Sequence, residues 1–323
     1  MRKPASIGEA RRRLPREFVR SLGEIFAQPA AERILRGMAS PRLTSLRVNT
    51  LRWTAASLMA FLRDNGVKAR RLSWYPEGFV LLSADERDAE GWDAYRQGQI
   101  YLQSVSSMVP ALVLDPRPGE RILDIAAAPG SKTTQIAALM DNRGTLVANE
   151  RDPVRAERLC YNVRLQGCTM AEVRVGKGEK LGEEMPCAFD RVLVDAPCSG
   201  EGRFVVHEPA SSRAWSPRLV TECARLQRRL LAAAARALRP GGILVYATCT
   251  LNTTENEDMV QWAMETLGLT PEKAPPVVPG TYAGMARGRH PSVALALRIF
   301  PDQEREGFFV CRMRKDQDSR TSV

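Results

Sequence analysis

Beyond residue 120 the apolar positions of the chain fall into two alternating patterns. Short runs rich in valine, leucine, isoleucine and alanine at 121–125, 145–149, 191–194 and 243–247 leave little polar face, which predicts strands buried on both sides. Between them, at 131–140, 153–166, 218–238 and 254–267, apolar residues recur at helical spacing, and a further strand is expected at 172–175. Strands alternating with helices predict an α/β core, a doubly wound, Rossmann-like parallel sheet covered on both faces. Arg239-Pro-Gly-Gly242 reads as a helix stop and 273–280 as a loop, while 293–300 and 307–312 read as antiparallel edge strands. Charged residues from Lys315 onward read as a frayed tail.

Upstream the pattern is mixed. Phe18, Leu22, Ile25 and Phe26 recur at helical spacing within 15–38, a strand is expected at 44–49, and a helix at 55–65 is closed by Gly66. Short strands follow at 67–72 and 79–82, then a strand or extended linker at 97–103 and a helix at 104–114 that ends at the turn Asp115-Pro-Arg-Pro-Gly119. The expected organisation is a small α+β domain over 1–96, the main domain over 97–314 and a charged tail over 315–323, with no internal repeat.

Composition narrows the function. The chain carries 47 Lys and Arg against 37 Asp and Glu, a formal charge of +10 in which arginine dominates. Such a surface attracts polyanions, and arginine matches phosphate in a fork while stacking on bases, so nucleic acid is the expected partner. Arginines 42, 47, 52, 63, 70 and 71 make the small domain the expected RNA-gripping surface. Seven widely spaced cysteines with no CxxC pair, beside only two histidines, argue against a zinc site or a disulfide framework. They fit a reducing cytoplasm. No run approaches the roughly 18 apolar residues of a membrane span, and no metal site is expected. A monomer is the expected state.

The chemistry sits where strands end, since ligands of open α/β sheets bind outside the carboxyl edge. Asp124-Ile-Ala-Ala-Ala-Pro-Gly-Ser-Lys-Thr133 joins a strand to its helix with small residues, so a ligand can approach the backbone closely. It lacks the glycine spacing of a dinucleotide fingerprint, and Gly130 is followed by Ser131 rather than the lysine of a P-loop. Glu150, after the next strand, can accept both hydroxyls of a ribose. Together they point to an adenosine-bearing ligand without a diphosphate, for which S-adenosylmethionine is the best fit.

Two cysteines lie just past strand ends, Cys198 in Asp195-Ala-Pro-Cys-Ser-Gly200 and Cys249 in Tyr246-Ala-Thr-Cys-Thr-Leu-Asn252. Methylation at carbon 5 of a pyrimidine gives work to two thiols. One must add to carbon 6 to make carbon 5 nucleophilic, and the adduct must later be released. Residue types alone leave open which cysteine does which. Asp195 can hold the exocyclic amine and ring nitrogen 3 of cytosine, and Lys132 can offset charge that builds on the ring. A zinc base deaminase would need a cysteine at position 201, which is Glu201.

These segments, with Arg239-Pro-Gly-Gly242 and Asn252-Thr-Thr-Glu-Asn-Glu257, resemble the motif set of the Sun-domain family of RNA cytosine-5 methyltransferases. The resemblance runs from about residue 41 to residue 314. It implies a class I methyltransferase sheet, S-adenosylmethionine as donor and 5-methylcytosine in RNA as product. It also implies Cys249 as the nucleophile and Cys198 as the residue that assists release. Ala126, Ala127, Ala128, Pro129, Gly130, Ser131, Lys132, Glu150, Arg155 and Asp195 are the residues it implies at the donor and base sites. Gly200-Glu-Gly-Arg-Phe204, Trp215-Ser216, Arg298-Ile-Phe-Pro301 and Gly307-Phe-Phe309 resemble the bacterial ribosomal branch, so ribosomal RNA is expected ahead of transfer RNA. One position departs from the family. Lys177, in Val175-Gly-Lys-Gly-Glu-Lys180, stands where members carry an aspartate near the donor's adenine, so weaker donor binding is expected unless Glu179 compensates. A non-catalytic RNA-binding assembly factor is the alternative reading.

Overall fold

The computed structural model describes residues 3–275 and 278–317. It contains two sheets. The smaller is antiparallel and comprises β1 (Ser45–Val48), β2 (Ala69–Arg71), β3 (Gly78–Leu81) and β4 (Ile100–Leu102) in the order β2-β3-β1-β4. Helix Ala55–Asp64 covers it, with Leu58 and Leu62 packed among Leu46, Val48, Phe79, Leu81 and Ile100. Thr54 caps this helix by accepting from Ser57 N at 3.1 Å, and Gly66, in the left-handed region at φ 66°, turns the chain away from its end. Tyr101 of β4 pairs with Arg47 of β1, so residue 96, where the domain boundary was expected, falls between two strands of this one sheet.

The larger sheet has nine strands. Its parallel centre comprises β5 (Arg121–Asp124), β6 (Thr145–Glu150), β7 (Ala171–Val175), β8 (Phe189–Asp195) and β9 (Leu238–Thr248) in the order β9-β8-β5-β6-β7. β13 (Phe308–Lys315) runs antiparallel to β9. Beyond it lie β12 (Leu297–Ile299) and β11 (Thr281–Ala283), with β10 (Leu269–Pro271) on the far half of β13. Helices Val105–Leu114, Ser131–Leu139 and Pro153–Leu165 fill one face with Val109, Ile136 and Leu159; Pro217–Ala237 and Glu257–Leu267 fill the other with Leu231 and Val260. The sheet is doubly wound because its inner strands β5, β6, β8 and β9 carry buried apolar residues on both sides, and each fully buried leucine or isoleucine contributes roughly 1.5–3 kcal/mol.

Several expectations are corrected. The helical stretch at 15–38 is two helices, Arg16–Ile25 and Gln28–Ala39, because Phe26 and Ala27 are extended between them and Pro29 starts the second. An unexpected helix, Ile7–Arg13, precedes them. These three helices do not join the small sheet. Phe18, Leu22, Ile34 and Met38 instead form a core with Phe204, Val206, Leu251 and Phe300 of the large domain. The helix stop read at Arg239-Pro-Gly-Gly242 holds, for the helix ends at Ala237 and β9 begins directly at Leu238. The strand expected at 293–300 is a 3-10 turn, Pro291–Leu295, followed by β12. Lys315 ends β13 rather than starting a frayed tail. It is 1% exposed, and its ammonium donates to Ala235 O at 2.8 Å and Leu238 O at 2.9 Å. Residues 276–277 of the expected loop and 318–323 of the tail lie outside the described residues.

Candidate active site

The parallel strands deliver their last residues to one edge. Asp124 ends β5, is 1% exposed, and accepts from Thr133 Oγ1 at 2.7 Å through Oδ2. Its other oxygen is buried without a partner, and burial pushes the carboxyl up to about 7. The chain then passes a cis Ala128–Pro129 bond and Gly130, whose φ of 108° favours glycine, into helix Ser131–Leu139. Lys132 lies in the first turn of that helix. Its ammonium reaches Asp195 Oδ2, at the end of β8, at 2.7 Å and donates to Ser107 Oγ at 2.8 Å.

β9 ends beside β8, and this brings the two cysteines together, with Cys198 Sγ 3.4 Å from Cys249 Sγ. The contact with Cys249, together with burial, raises the Cys198 thiol well above its ordinary range. Two buried glutamates tie the cysteine loops to each other. Glu255 accepts from Ser199 N at 3.0 Å, Gln227 Nε2 at 2.8 Å and Asn252 Nδ2 at 2.9 Å. Burial raises its carboxyl against these three donors. Glu201 accepts from Asn252 N at 2.9 Å and from Trp215 Nε1 at 3.1 Å, while Gly202 N donates to Cys249 O at 2.9 Å.

Of the residues singled out in the sequence, Ala126, Ala127, Ala128, Pro129, Ser131, Lys132, Arg155, Asp195, Cys198 and Cys249 line one cleft of about 480 Å³. Gly130 shapes the loop behind it. Glu150 lies off the cleft, buried, accepting from Asp152 N at 3.0 Å and paired at 3.4 Å with Arg155, which also donates to Ala128 O at 2.8 Å. Lys177 is exposed and Glu179 lies 3.7 Å from Arg229, and neither lines the cleft.

Sequence reasoning missed Asp124, Tyr101, Arg203 and Glu306 as cleft residues and Glu201 and Glu255 as supports. Glu201 lies within Gly200–Phe204 and Glu255 within Asn252–Glu257. Glu306 gave no signal, because its partners Arg42, at 3.4 Å, and Ser104, at 3.1 Å, are distant in sequence. The RNA-gripping set needs correction too. Arg47 is fully buried, donating to Gln103 at 2.7 Å and Thr134 at 2.6 Å and lying over Tyr101, and Arg42 is largely buried. Arg52, Arg63, Arg70 and Arg71 remain exposed, Arg70 paired with Glu304. Among the described residues no cluster of His, Cys, Asp or Glu is placed to hold a metal, and no helix is long and apolar enough to cross a membrane.

Residues 111–314 match the family model for 16S rRNA methyltransferase RsmB/F. The chain belongs to that family. The likeness read from the Asp195 and Cys249 motifs is thereby confirmed at family level. Residues 14–86 match a second model, the ferredoxin-like domain of RsmF/B-like methyltransferases, which spans helices Arg16–Ile25 and Gln28–Ala39 and strands β1 to β3 of the small sheet. The chain is 38% identical over 98% of its length to ribosomal RNA small subunit methyltransferase F of Serratia proteamaculans, and 38% identical over 94% to that of Cronobacter sakazakii. It spans 65% and 63% of the lengths of these two relatives. Among solved structures, a methyltransferase homolog protein from Pyrococcus horikoshii superposes with a TM-score of 0.83 at 31% identity, covering 97% of this chain and all of that one.

Proposed function

We propose that this RsmB/F member transfers a methyl group from S-adenosylmethionine to carbon 5 of a cytosine in ribosomal RNA. The observation that carries the reading is the pair of sulfurs 3.4 Å apart at the sheet edge, lining the same cleft as the Lys132–Asp195 pair. Two thiols at one base site suit a reaction that must both form and release a covalent adduct.

The residues present fit the donor. Asp124 offers a buried oxygen without a partner at the cleft, suited to an ammonium group, and the backbone from Ala126 to Ser131 allows close approach. Glu150, with Arg155 moved aside, would hold ribose hydroxyls. S-adenosylmethionine supplies an electrophilic methyl group. Asp195 accepts from the exocyclic amine of the cytosine, and from ring nitrogen 3 when that nitrogen carries a proton, and Lys132 keeps the carboxylate in place while offsetting charge on the ring. Cys249 Sγ adds to carbon 6, which makes carbon 5 nucleophilic enough to take the methyl group. The proton at carbon 5 then passes to water, its electron pair restores the double bond to carbon 6, the carbon–sulfur pair returns to Cys249, and Cys198 serves this release.

For the RNA, the proposed grip is a groove of about 940 Å³ between the small sheet and helix Pro153–Leu165, lined by Arg52, Gln97, Gln99, Tyr161 and Arg164. Its arginines suit phosphates, and Tyr161, 60% exposed, offers a ring on which an unpaired base can stack. The proposed setting is the cytoplasm, where the thiols stay reduced.

Incubation with tritiated S-adenosylmethionine and small-subunit ribosomal RNA tests the reading, with transfer RNA in parallel and the Cys249→Ala variant as control. Label at 5-methylcytosine in ribosomal RNA is the expected result. Label no higher than the control in either RNA would leave a non-catalytic RNA-binding protein.

A further inference from the structure

Three side chains from different elements meet where the base is proposed to sit. Lys132 Nζ reaches Asp195 Oδ2 at 2.7 Å and donates to Ser107 Oγ at 2.8 Å, and all three residues line the cleft. An ammonium has no lone pair, so Ser107 accepts from Lys132 while its own hydroxyl proton stays free to donate elsewhere. Among the described residues no other hydrogen bond involves Ser107 Oγ, and none involves Asp195 Oδ1. The other cleft hydroxyls are placed differently. Ser104 Oγ lies 3.1 Å from Glu306, Tyr101 lies over Arg47, and Ser131 opens the helix at the donor loop.

Ser107 is held from two sides. It lies in the first turn of helix Val105–Leu114, where its N–H donates to the capping Ser104 Oγ at 3.3 Å and its C=O accepts from Gln103 Nε2 at 3.0 Å. Gln103 is fixed in turn, buried and accepting from Arg47 Nε at 2.7 Å. The buried arginine of the small sheet thus braces a hydroxyl of the cleft. A donor set in advance needs no rearrangement when charge develops in front of it. Asp195 Oδ2 and Ser107 Oγ contact the same nitrogen, so they lie no more than two hydrogen-bond lengths apart. One cytosine edge can bridge that separation, from its exocyclic amine to its carbonyl O2.

We infer that Ser107 is a further base-recognition residue, whose hydroxyl donates to carbonyl O2 of the cytosine while Asp195 accepts from the amine at the other end of the same edge. The inference rests on the cytosine-5 reading above. When sulfur adds to carbon 6, the electron pair of the carbon 5–carbon 6 double bond moves to carbon 5 and spreads through the ring to nitrogen 3 and O2. O2 becomes a stronger acceptor as that charge arrives. Ser107 keeps its proton throughout, and its hydrogen bond strengthens from the bound base to the adduct, so it favours the reacting state over the ground state.

The experiment compares kcat/KM for small-subunit ribosomal RNA transcribed with cytidine or with 2-thiocytidine, whose sulfur is a poorer acceptor than O2, using tritiated donor and the full chain. Wild type, Ser107→Ala and Ser107→Thr are measured on both transcripts. On ordinary RNA, Ser107→Ala is expected to be about tenfold slower than wild type. Sulfur is expected to slow wild type and the hydroxyl-bearing Ser107→Thr more than it slows Ser107→Ala, because the alanine variant has no bond to O2 left to lose. Any effect of sulfur on RNA folding is common to the three proteins and cancels in this comparison. An equal sulfur penalty in all three would overturn the inference, as would an alanine variant as fast as wild type on ordinary RNA. Methylation of the ordinary transcript by wild type tests the cytosine-5 reading itself. Without that methylation the reading and the inference fall together, whereas with it an equal sulfur penalty removes the inference alone.

Discussion

Arg298 and Glu257 meet as a buried ion pair behind the Cys249 loop, with Arg298 Nε donating to Glu257 Oε1 at 2.6 Å and the side chains 2% and 0% exposed. Arg298 Nη1 also donates to Leu251 O at 2.8 Å, two residues beyond Cys249. Removing one partner leaves a charge buried without its counterion. Glu257→Gln or Arg298→Met is therefore expected to cost about 3–5 kcal/mol, and the double variant Glu257→Leu, Arg298→Met less than either single change. Urea denaturation midpoints with matched slopes measure this, and a double variant as unstable as the sum of the singles would contradict it.

Asp124 gives the protein a pH dependence near neutrality. Burial raises its carboxyl from the ordinary 3.8 to about 7, so between those values the folded chain holds a proton that the unfolded chain has released. Stability from this group therefore falls as pH rises through that window and is flat above it. Donor binding runs the other way, because an ammonium pairs with the ionised form. Affinity for S-adenosylmethionine is expected to strengthen by about tenfold between pH 6 and pH 7.5, with proton release, before the donor's own amine begins to titrate near 8. Isothermal titration across this range checks it, and Asp124→Asn should bind weakly with a flat profile.

The central sheet was legible because its strands are apolar on both faces and its helices are not, a contrast that survives without tertiary information. The strand-end residues Asp195, Cys198 and Cys249 were legible for the same reason, since strand register alone carries them to one edge. What was hidden depends on contacts between distant segments. Arginine at position 47 reads as a surface charge until Gln103 and Thr134 are seen to surround it. Phe18 reads as the core of a local helical unit, yet its ring meets Phe204 at 5.0 Å and Trp215 at 5.8 Å, in the segment that follows Cys198. The concern over Lys177 also changes weight. Glu179 faces Arg229 rather than the cleft, so Glu179→Ala is expected to leave donor affinity unchanged by titration calorimetry.

Gly202 and Gly307 are in backbone contact, and a Cβ on Gly202 would lie 2.0 Å from Gly307 O. No side-chain rotation relieves a clash with backbone. Gly202→Ala must push the strand leading into β13 away from the loop that holds Cys249 O, at a cost of roughly 1–3 kcal/mol. Methyl transfer is expected to fall by at least about tenfold, since misplacing a reacting group by about 1 Å can cost a hundredfold. Steady-state rates beside a thermal melt check this, and unchanged kcat would show that the loop's position does not govern catalysis.

The two sulfurs are close enough to exchange roles, so the division of labour between them is the decisive prediction. Contact with Cys249 and burial both raise the Cys198 thiol, which keeps it protonated. Attack by Cys249 should therefore survive the loss of Cys198, while release should not. With donor and ribosomal RNA, Cys198→Ala is expected to accumulate a covalent protein–RNA species on a denaturing gel, and Cys249→Ala and the double variant to show none. A slow-migrating band in Cys249→Ala and its absence in Cys198→Ala would exchange the two roles. Bands in both single variants would mean that either thiol can attack, and the 3.4 Å contact would then mark a shared nucleophile.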